Sequence, residues 1–102
     1  MEKKDMEVIQ ELWEVIEGRK SKPVTGSYTN KLLNDPDKLM EKLAEELSEI
    51  KKAVETGHIG SVDEKDSLVW ETSDFLYHLL VLLSSKGVDL GTIMKELKRR
   101  RS

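Results

Sequence analysis

Two pairs of acidic residues have a spacing that could place four carboxylates at one site. Glu46 and Glu49 form the first pair, and Glu71 and Asp74 form the second, each three positions apart. Residues three apart on a helix lie on the same face. Each pair also adjoins an apolar stripe, which places it at the edge of a helix–helix contact. If the two helices pack antiparallel, the pairs can face each other.

Four converging carboxylates repel one another unless a cation cancels their charge. Oxygen-only ligands suit magnesium or manganese and leave positions for water and phosphate oxygens. Such an ion polarises a phosphoryl oxygen, neutralises a leaving pyrophosphate and can lower the pKa of an attacking water. The competing interpretation is chance, because a chain with 20 acidic residues readily places such pairs on solvated helix faces. From spacing alone, chance is the commoner explanation.

The setting of Asp74 and His78 favours a site. They lie four positions apart at the start of the most apolar segment of the chain, residues 75–83. Carboxylates and histidines are rarely buried without a partner, so a metal, a basic residue or a hydrogen-bonded network must compensate them. His78 by itself is more often a satisfied core histidine than a ligand. A contact from His78 to a carboxylate would fit either interpretation.

These residues must be positioned by helices, and the apolar periodicity predicts helices throughout the chain. Gly18 is the expected stop of the first helix, and Gly57 that of the helix opened by Asp35 and Pro36. The segment 75–83 is apolar nearly all round, which is typical of a helix buried on every side. One short chain can hardly surround it, so we expect an all-α fold, a single domain over 1–102, and a partner subunit. The predicted helices span about 5–17, a short turn at 27–33, 36–56, from Asp63 or Asp66 to 85, and from an Asp89 cap to the basic end.

Composition argues against several other classes of protein. The absence of cysteine excludes disulfide frameworks and thiolate metal sites. A net charge of −3 gives no drive toward nucleic acid or acidic membranes, and the basic residues 98–101 suit a helix C-terminus. The longest apolar run, 79–83, is too short to span a bilayer, and the N-terminus lacks the apolar core of a signal peptide. We expect a cytoplasmic protein with no nucleic-acid or membrane partner.

Three segments of the chain resemble a known family. Arg19-Lys20 is followed by Gly-Ser-Tyr-Thr-Asn-Lys-Leu at 26–32, Lys-Leu-Ala-Glu-Glu-Leu-Ser-Glu at 42–49, and Glu-Thr-Ser-Asp-Phe-Leu-Tyr-His-Leu-Leu-Val-Leu-Leu at 71–83. In this order they resemble the phosphoribosyl-ATP pyrophosphohydrolases, within the MazG-like all-α pyrophosphohydrolases. The paired acids are weakly specific, whereas the Ser-Tyr-Thr and Tyr-His-Leu-Leu runs are much more specific.

The resemblance implies hydrolysis of phosphoribosyl-ATP to phosphoribosyl-AMP and pyrophosphate, the second step of histidine biosynthesis, with Mg2+. It also implies a MazG-like helical bundle completed by dimerisation, so we expect a homo-oligomer, either dimer or tetramer. Glu45 matches the first acid of the family's paired glutamates and would add a ligand or orient a water. The resemblance also implies that the metal ligands are Glu46, Glu49, Glu71 and Asp74, and we expect all four to be catalytic. The expected phosphate-binding residues are Lys31, Lys42 and Arg19.

Two other functions remain open at this point. A house-cleaning nucleoside triphosphate pyrophosphatase of the MazG type would use the same metal site. The segment Ser27-Tyr28-Thr29 favours phosphoribosyl-ATP, because a generic member of the superfamily need not keep it. A non-enzymatic helical oligomerisation protein would instead carry the carboxylates on solvated faces and use the apolar helix only for assembly.

Overall fold

The protein folds into helices alone over the residues that the structure, a computed structural model, describes: 2–60 and 64–101. The predicted all-α class is confirmed, and Asp63, one of the two predicted starts of the third long helix, lies outside the described residues. No helix within the described ranges is long and apolar enough to cross a membrane. The six helices are α1 (Lys3–Met6), α2 (Val8–Ser21), α3 (Tyr28–Leu33), α4 (Pro36–Thr56), α5 (Leu68–Ser85) and α6 (Leu90–Arg100).

Side-chain caps set the beginnings of the helices that carry the site. The Asp35 carboxylate accepts a hydrogen bond from the Lys38 amide at 3.1 Å, as the Asp-Pro pair predicts for α4. Helix α5 begins at Leu68, two residues after the predicted Asp66, because Ser67 is its cap and the Ser67 hydroxyl accepts from the Trp70 amide at 3.1 Å. Asp66 itself has a φ of 71°, which is outside the helical region.

The predicted stop of the first long helix at Gly18 is wrong. Gly18 stays helical, and its carbonyl accepts from the Lys22 amide at 2.8 Å at the end of α2. Pro23 explains the later end, because a proline disfavours the helical conformation of the residue before it. The extra turn places the Lys20 ammonium where it donates to the Ser84 carbonyl at 2.8 Å.

Helices α4 and α5 form the main pair of the fold. They run antiparallel. Glu46 on α4 contacts His78 on α5, and Glu49, which comes later on α4, lies near Glu71, which comes earlier on α5. Within the apolar segment of α5, Leu80 and Val81 are buried in the core. The core residues, which come from α2, α3, α4, α5 and α6, are Trp13, Ile16, Leu32, Leu39, Leu43, Leu80, Val81 and Leu90.

One chain does not cover all of α5. Leu76 keeps 45% of its surface exposed, and Phe75 and Leu79 are half-buried. An open apolar groove of about 290 Å³ lies between this helix and the N-terminal helices, lined by residues that include Met6 and Leu12. The expectation that one chain can hardly surround 75–83 is therefore met, and the partner subunit stays a prediction.

Helix α6 is an arm at the edge of the fold. Leu90 is its one buried residue in the structure. Asp89 occupies the predicted N-cap position, although its side chain makes no capping hydrogen bond. At the basic end, Arg99 and Arg100 both donate to the Glu96 carboxylate.

Candidate active site

Carboxylates from α4, α5 and the residue before the α5 cap converge at one place. One oxygen each of Glu49, Asp66 and Glu71 can be chosen so that all lie within 4.8 Å of one another. Glu49 and Glu71 come together because α4 and α5 pack antiparallel. Asp66 joins them because its left-handed backbone turns the chain immediately before Ser67, a conformation that Asp tolerates better than most residues.

Glu71 is the most isolated carboxylate of this cluster. It is 7% exposed, and its side chain forms no hydrogen bond or ion pair within the described ranges. Burial raises the pKa of Glu71, and the charges of Asp74, Glu49, Asp66 and Glu46 raise it further. The Glu71 carboxylate is therefore held close to other negative charges, and none of the residues that the structure describes supplies a compensating cation.

Glu46 is also buried, at 7% exposed, but it has a partner. Its Oε1 lies 2.7 Å from Nδ1 of His78, which is itself buried. Burial raises the pKa of Glu46. The His78 ring lowers this pKa through its charge and its hydrogen bond. The charge of Asp74 raises it further, and the charge of Lys42 lowers it. The sequence-based expectation that His78 contacts a carboxylate is therefore met by Glu46 on the facing helix.

Asp74 and Glu45 lie at the margins of the site. Asp74 is half-buried, not enclosed in the apolar segment as expected, and its carbonyl accepts from Nδ1 of His78 at 2.9 Å. The Asp74 charge raises the pKa of both Glu46 and Glu71. Glu45 is exposed on α4, and its charge acts on Tyr28 instead.

The beginning of α3 forms a further side of this region. The Tyr28 hydroxyl lies 2.9 Å from Nε2 of His78, and the Tyr28 ring stacks on Tyr77 at 6.3 Å and 19°. Thr29 Oγ1 is hydrogen-bonded to the Tyr77 hydroxyl. Burial raises the pKa of Tyr28, followed by the charges of Tyr77, Glu46, Asp74 and Glu45. These contacts place the Ser-Tyr-Thr segment beside the carboxylates.

The three predicted phosphate-binding residues, Lys42, Lys31 and Arg19, make no ion pair with the site's carboxylates among the described residues. Lys42 lies on α4 one turn before Glu46, and its charge lowers the pKa of Glu46 without an ion pair between the two residues. Lys31 is exposed on α3, and Arg19 is half-buried at the end of α2. Neither contacts a carboxylate of the site in the part of the chain that the structure describes.

A buried amide holds the loop between α2 and α3. The Asn30 side chain donates to the Arg19 carbonyl at 2.7 Å and accepts from the Val24 amide at 2.9 Å. This pair of bonds fixes the segment that leads into Tyr28.

Sequence reasoning missed two members of this arrangement. Asp66 was expected only as a helix start, although a carboxylate next to the Ser67 cap and five residues before Glu71 was a usable signal. Tyr28 was expected only as part of a family segment. Its link to His78 joins residues 50 positions apart and leaves no local pattern.

Comparison with known proteins gives this arrangement a family. The sequence model of phosphoribosyl-ATP pyrophosphohydrolase matches residues 9–101, which include every carboxylate described above. The chain belongs to the phosphoribosyl-ATP pyrophosphohydrolase family. The resemblance expected from the three sequence segments is thereby confirmed.

Individual relatives of this family differ in length. The chain is 42% identical over 100 residues to the phosphoribosyl-ATP pyrophosphatase of Methanosphaerula palustris, covering 95% of each chain. It is 41% identical over 95 residues to the phosphoribosyl-ATP pyrophosphatase of Clostridium acetobutylicum, covering 92% of this chain and 81% of the relative. It is also 44% identical over 96 residues to the histidine biosynthesis bifunctional protein HisIE of Caldanaerobacter subterraneus, covering 93% of this chain. This chain spans only 44% of that bifunctional relative.

Proposed function

We propose that this protein hydrolyses phosphoribosyl-ATP to phosphoribosyl-AMP and pyrophosphate, in histidine biosynthesis. Membership of the family supports the reaction, and two relatives of similar length carry the name phosphoribosyl-ATP pyrophosphatase. The observation that carries the proposal is the buried Glu71, which lies among other carboxylates at the α4–α5 contact and has no partner among the described residues. A substrate with a phosphoanhydride and its magnesium is a natural ligand for such a site.

Magnesium is the proposed cofactor, held by Glu46, Glu49, Glu71 and Asp74, with Asp66 as an added carboxylate. The donor set fits, because all of these groups offer oxygen and Glu71 lacks any cationic partner from the described chain. When bound, the ion would polarise a phosphoryl oxygen and neutralise the charge on the leaving pyrophosphate.

The chain's other residues would orient the reacting groups. Glu45, which is exposed on α4 and whose charge acts on Tyr28, would orient a water at the edge of the site. Lys42, whose charge already acts on Glu46, would bind a substrate phosphate. Lys31 and Arg19 would contact more distant phosphates, for which a charge-assisted hydrogen bond is the usual mode.

We further propose a homo-oligomer, dimer or tetramer, located in the cytoplasm. The exposed Leu76, the half-buried residues beside it and the open apolar groove leave a large apolar surface on one chain. Light scattering at micromolar concentration should give a mass that is a multiple of the 11.7 kDa chain. A stable monomer under these conditions would refute this part of the proposal.

A substrate panel tests the proposed reaction. Purified protein with Mg2+ should release pyrophosphate from phosphoribosyl-ATP in preference to the common deoxynucleoside triphosphates. Turnover of the triphosphates with none from phosphoribosyl-ATP would instead establish the MazG-type house-cleaning activity.

Two variants test whether the site is catalytic. Glu46→Gln and Asp74→Asn should each lose most of the magnesium-dependent turnover, whereas Glu41→Gln, on an exposed part of α4, should not. Full activity in both site variants would refute the metal site. Absence of magnesium binding and of turnover in the wild type would favour the non-enzymatic oligomerisation protein.

A further inference from the structure

His78 lies at a junction between three helices. Its ring is buried on α5, one nitrogen faces Glu46 of α4, and the other faces Tyr28 of α3. The distances are 2.7 Å from Nδ1 to the Glu46 carboxylate and 2.9 Å from Nε2 to the Tyr28 hydroxyl. Any buried histidine needs hydrogen-bond partners. The two partners of His78 are a proposed metal ligand, Glu46, and a residue of the short helix α3, Tyr28.

The hydrogen-bond partners fix the direction of this chain of contacts. Nδ1 faces two oxygens, the Glu46 carboxylate and the Asp74 carbonyl at 2.9 Å, and a carbonyl can only accept. Nδ1 therefore carries the proton, and in the neutral ring Nε2 accepts from the Tyr28 hydroxyl. The Tyr28 hydroxyl therefore donates its hydrogen bond to Nε2 of His78, and Nδ1–H of His78 donates to the Glu46 carboxylate.

The short helix α3 depends on such contacts for its position. It has only six residues, far fewer than an isolated helix needs for stability in water. Its first turn is held against α5 through Tyr28, which stacks on Tyr77 and bonds to His78, and through Thr29, which bonds to Tyr77. A change in the orientation of His78 would therefore be transmitted to α3.

We infer that His78 is a positioning residue that orients Glu46 through Nδ1 and couples that carboxylate to α3 through Nε2 and Tyr28. The inference rests on the proposed magnesium site. Partners that hold a metal ligand in place typically change metal affinity about 10–100-fold when they are replaced. Coupling through Nε2 adds a second consequence: magnesium at the carboxylates should slow amide exchange in residues 27–33.

Two substitutions at His78 separate its two nitrogens. His78→Asn keeps an amide donor near the position of Nδ1 and removes the partner of Tyr28. His78→Gln places its amide near the position of Nε2 and removes the donor to Glu46. Titration calorimetry with Mg2+ should show near wild-type affinity for the Asn variant and a loss of about 10–100-fold for the Gln variant. A purely structural role would not produce this rescue by Asn.

Hydrogen–deuterium exchange tests the link to α3. Mg2+ should slow exchange at 27–33 in the wild type but not in Tyr28→Phe or His78→Asn, while both variants still bind the ion. Tyr28 is 46% exposed, so its substitution should leave the fold intact and keep this arm usable if a His78 variant misfolds. His58→Gln is the matched control, because His58 pairs with Glu64 in the α4–α5 connection.

The outcomes distinguish this inference from the magnesium site beneath it. Wild-type affinity in His78→Gln, or unchanged magnesium protection of 27–33 in Tyr28→Phe, overturns the positioning role and leaves the metal site standing. A wild type that binds no Mg2+ overturns both, and calorimetry on the wild type alone reveals that case.

Discussion

Replacement of Glu71 by Gln should stabilise the metal-free protein at neutral pH. Glu71 is buried, lacks a partner in the described chain, and lies beside Glu49 and Asp66. A buried charge without a partner destabilises the folded state, whereas a neutral amide of the same shape avoids most of that penalty. Most substitutions of buried residues lower stability, so a gain here would be specific to the electrostatics of the site.

The size of the gain follows from the separation of the carboxylates. At 4.8 Å, the outer limit of these oxygen separations, two charges repel by about 3.5 kcal/mol at an effective dielectric constant of about 20. Glu49 is half-buried and Asp66 is exposed, so water screens both interactions. After this screening, we expect the free energy of unfolding to rise by about 1–2 kcal/mol in Glu71→Gln.

The gain should depend on pH in one direction. Burial and the neighbouring charges raise the pKa of Glu71 in the folded state above its ordinary value of 4.5. Wild-type stability from this group is therefore fully present below the ordinary value and is lost as pH rises through the raised pKa. The difference between variant and wild type should be largest at neutral pH and should close as pH falls toward 4.

Urea unfolding followed by tryptophan fluorescence measures this difference, since Trp13 is buried in the core. The protein concentration must be fixed, because association would shift the midpoint. A chelator keeps the protein metal-free, and Glu41→Gln on the exposed face of α4 controls for the loss of one negative charge. A variant that is no more stable than wild type at neutral pH, or a difference that does not change with pH, would refute the reasoning.

Magnesium should reverse the order of stability. A ligand present at about 100 times its dissociation constant stabilises a protein by about 2.7 kcal/mol. Wild type should gain stability by this amount at a matching Mg2+ concentration, whereas Glu71→Gln should gain much less. If both proteins gain equally, Glu71 is not a ligand, although its effect on the metal-free protein could still hold.

Three other substitutions test the supports of the site. Asp66→Asn should weaken Mg2+ binding about tenfold by calorimetry. It should not lower the melting temperature, because Asn also tolerates a positive φ and one repelling charge is lost. Unchanged affinity would exclude Asp66 as a ligand. Ser67→Ala should lower the free energy of unfolding by about 1–2 kcal/mol, since it removes the buried cap of α5; an unchanged urea midpoint would contradict this role. Asn30→Ala should lower it by about 2–3 kcal/mol because two loop hydrogen bonds are lost, whereas Asn34→Ala, exposed nearby, should have little effect.

The bounds of α4 show what local sequence can predict. Asp35 and Pro36 fix its beginning, and Gly57, with a φ of 70°, ends it, as these residue types favour. The start of α5 was not predictable in the same way, because Asp66 and Ser67 are both good caps in sequence. The choice depends on backbone geometry, since Asp66 adopts a left-handed conformation and only Ser67 caps the helix.

Some contacts of the site were likewise predictable from local sequence, and others were not. Spacing along each helix, with antiparallel packing, correctly brings Glu49 to Glu71. The partner of His78 depends on the register between α4 and α5, which no local pattern specifies, and it is Glu46 on the facing helix. Tyr28 depends on the path of a whole loop between α2 and α3, so only the family resemblance pointed to its segment.

Glu71 differs from the other buried polar residues of the described chain in a way that bears on function. Each of the others has a hydrogen-bond partner within the fold: Asn30 with the Arg19 carbonyl, Glu46 with His78, Ser67 with the Trp70 amide, and Ser84 with Glu17. A fold selected only for stability would also pair Glu71 or replace it. The proposed cation would relieve the repulsion that Glu71 experiences in the metal-free chain, so the same interaction would lower the stability of the free protein and raise its affinity for the ion. Stability and metal affinity should therefore change in opposite directions among substitutions at Glu71 and its neighbouring carboxylates.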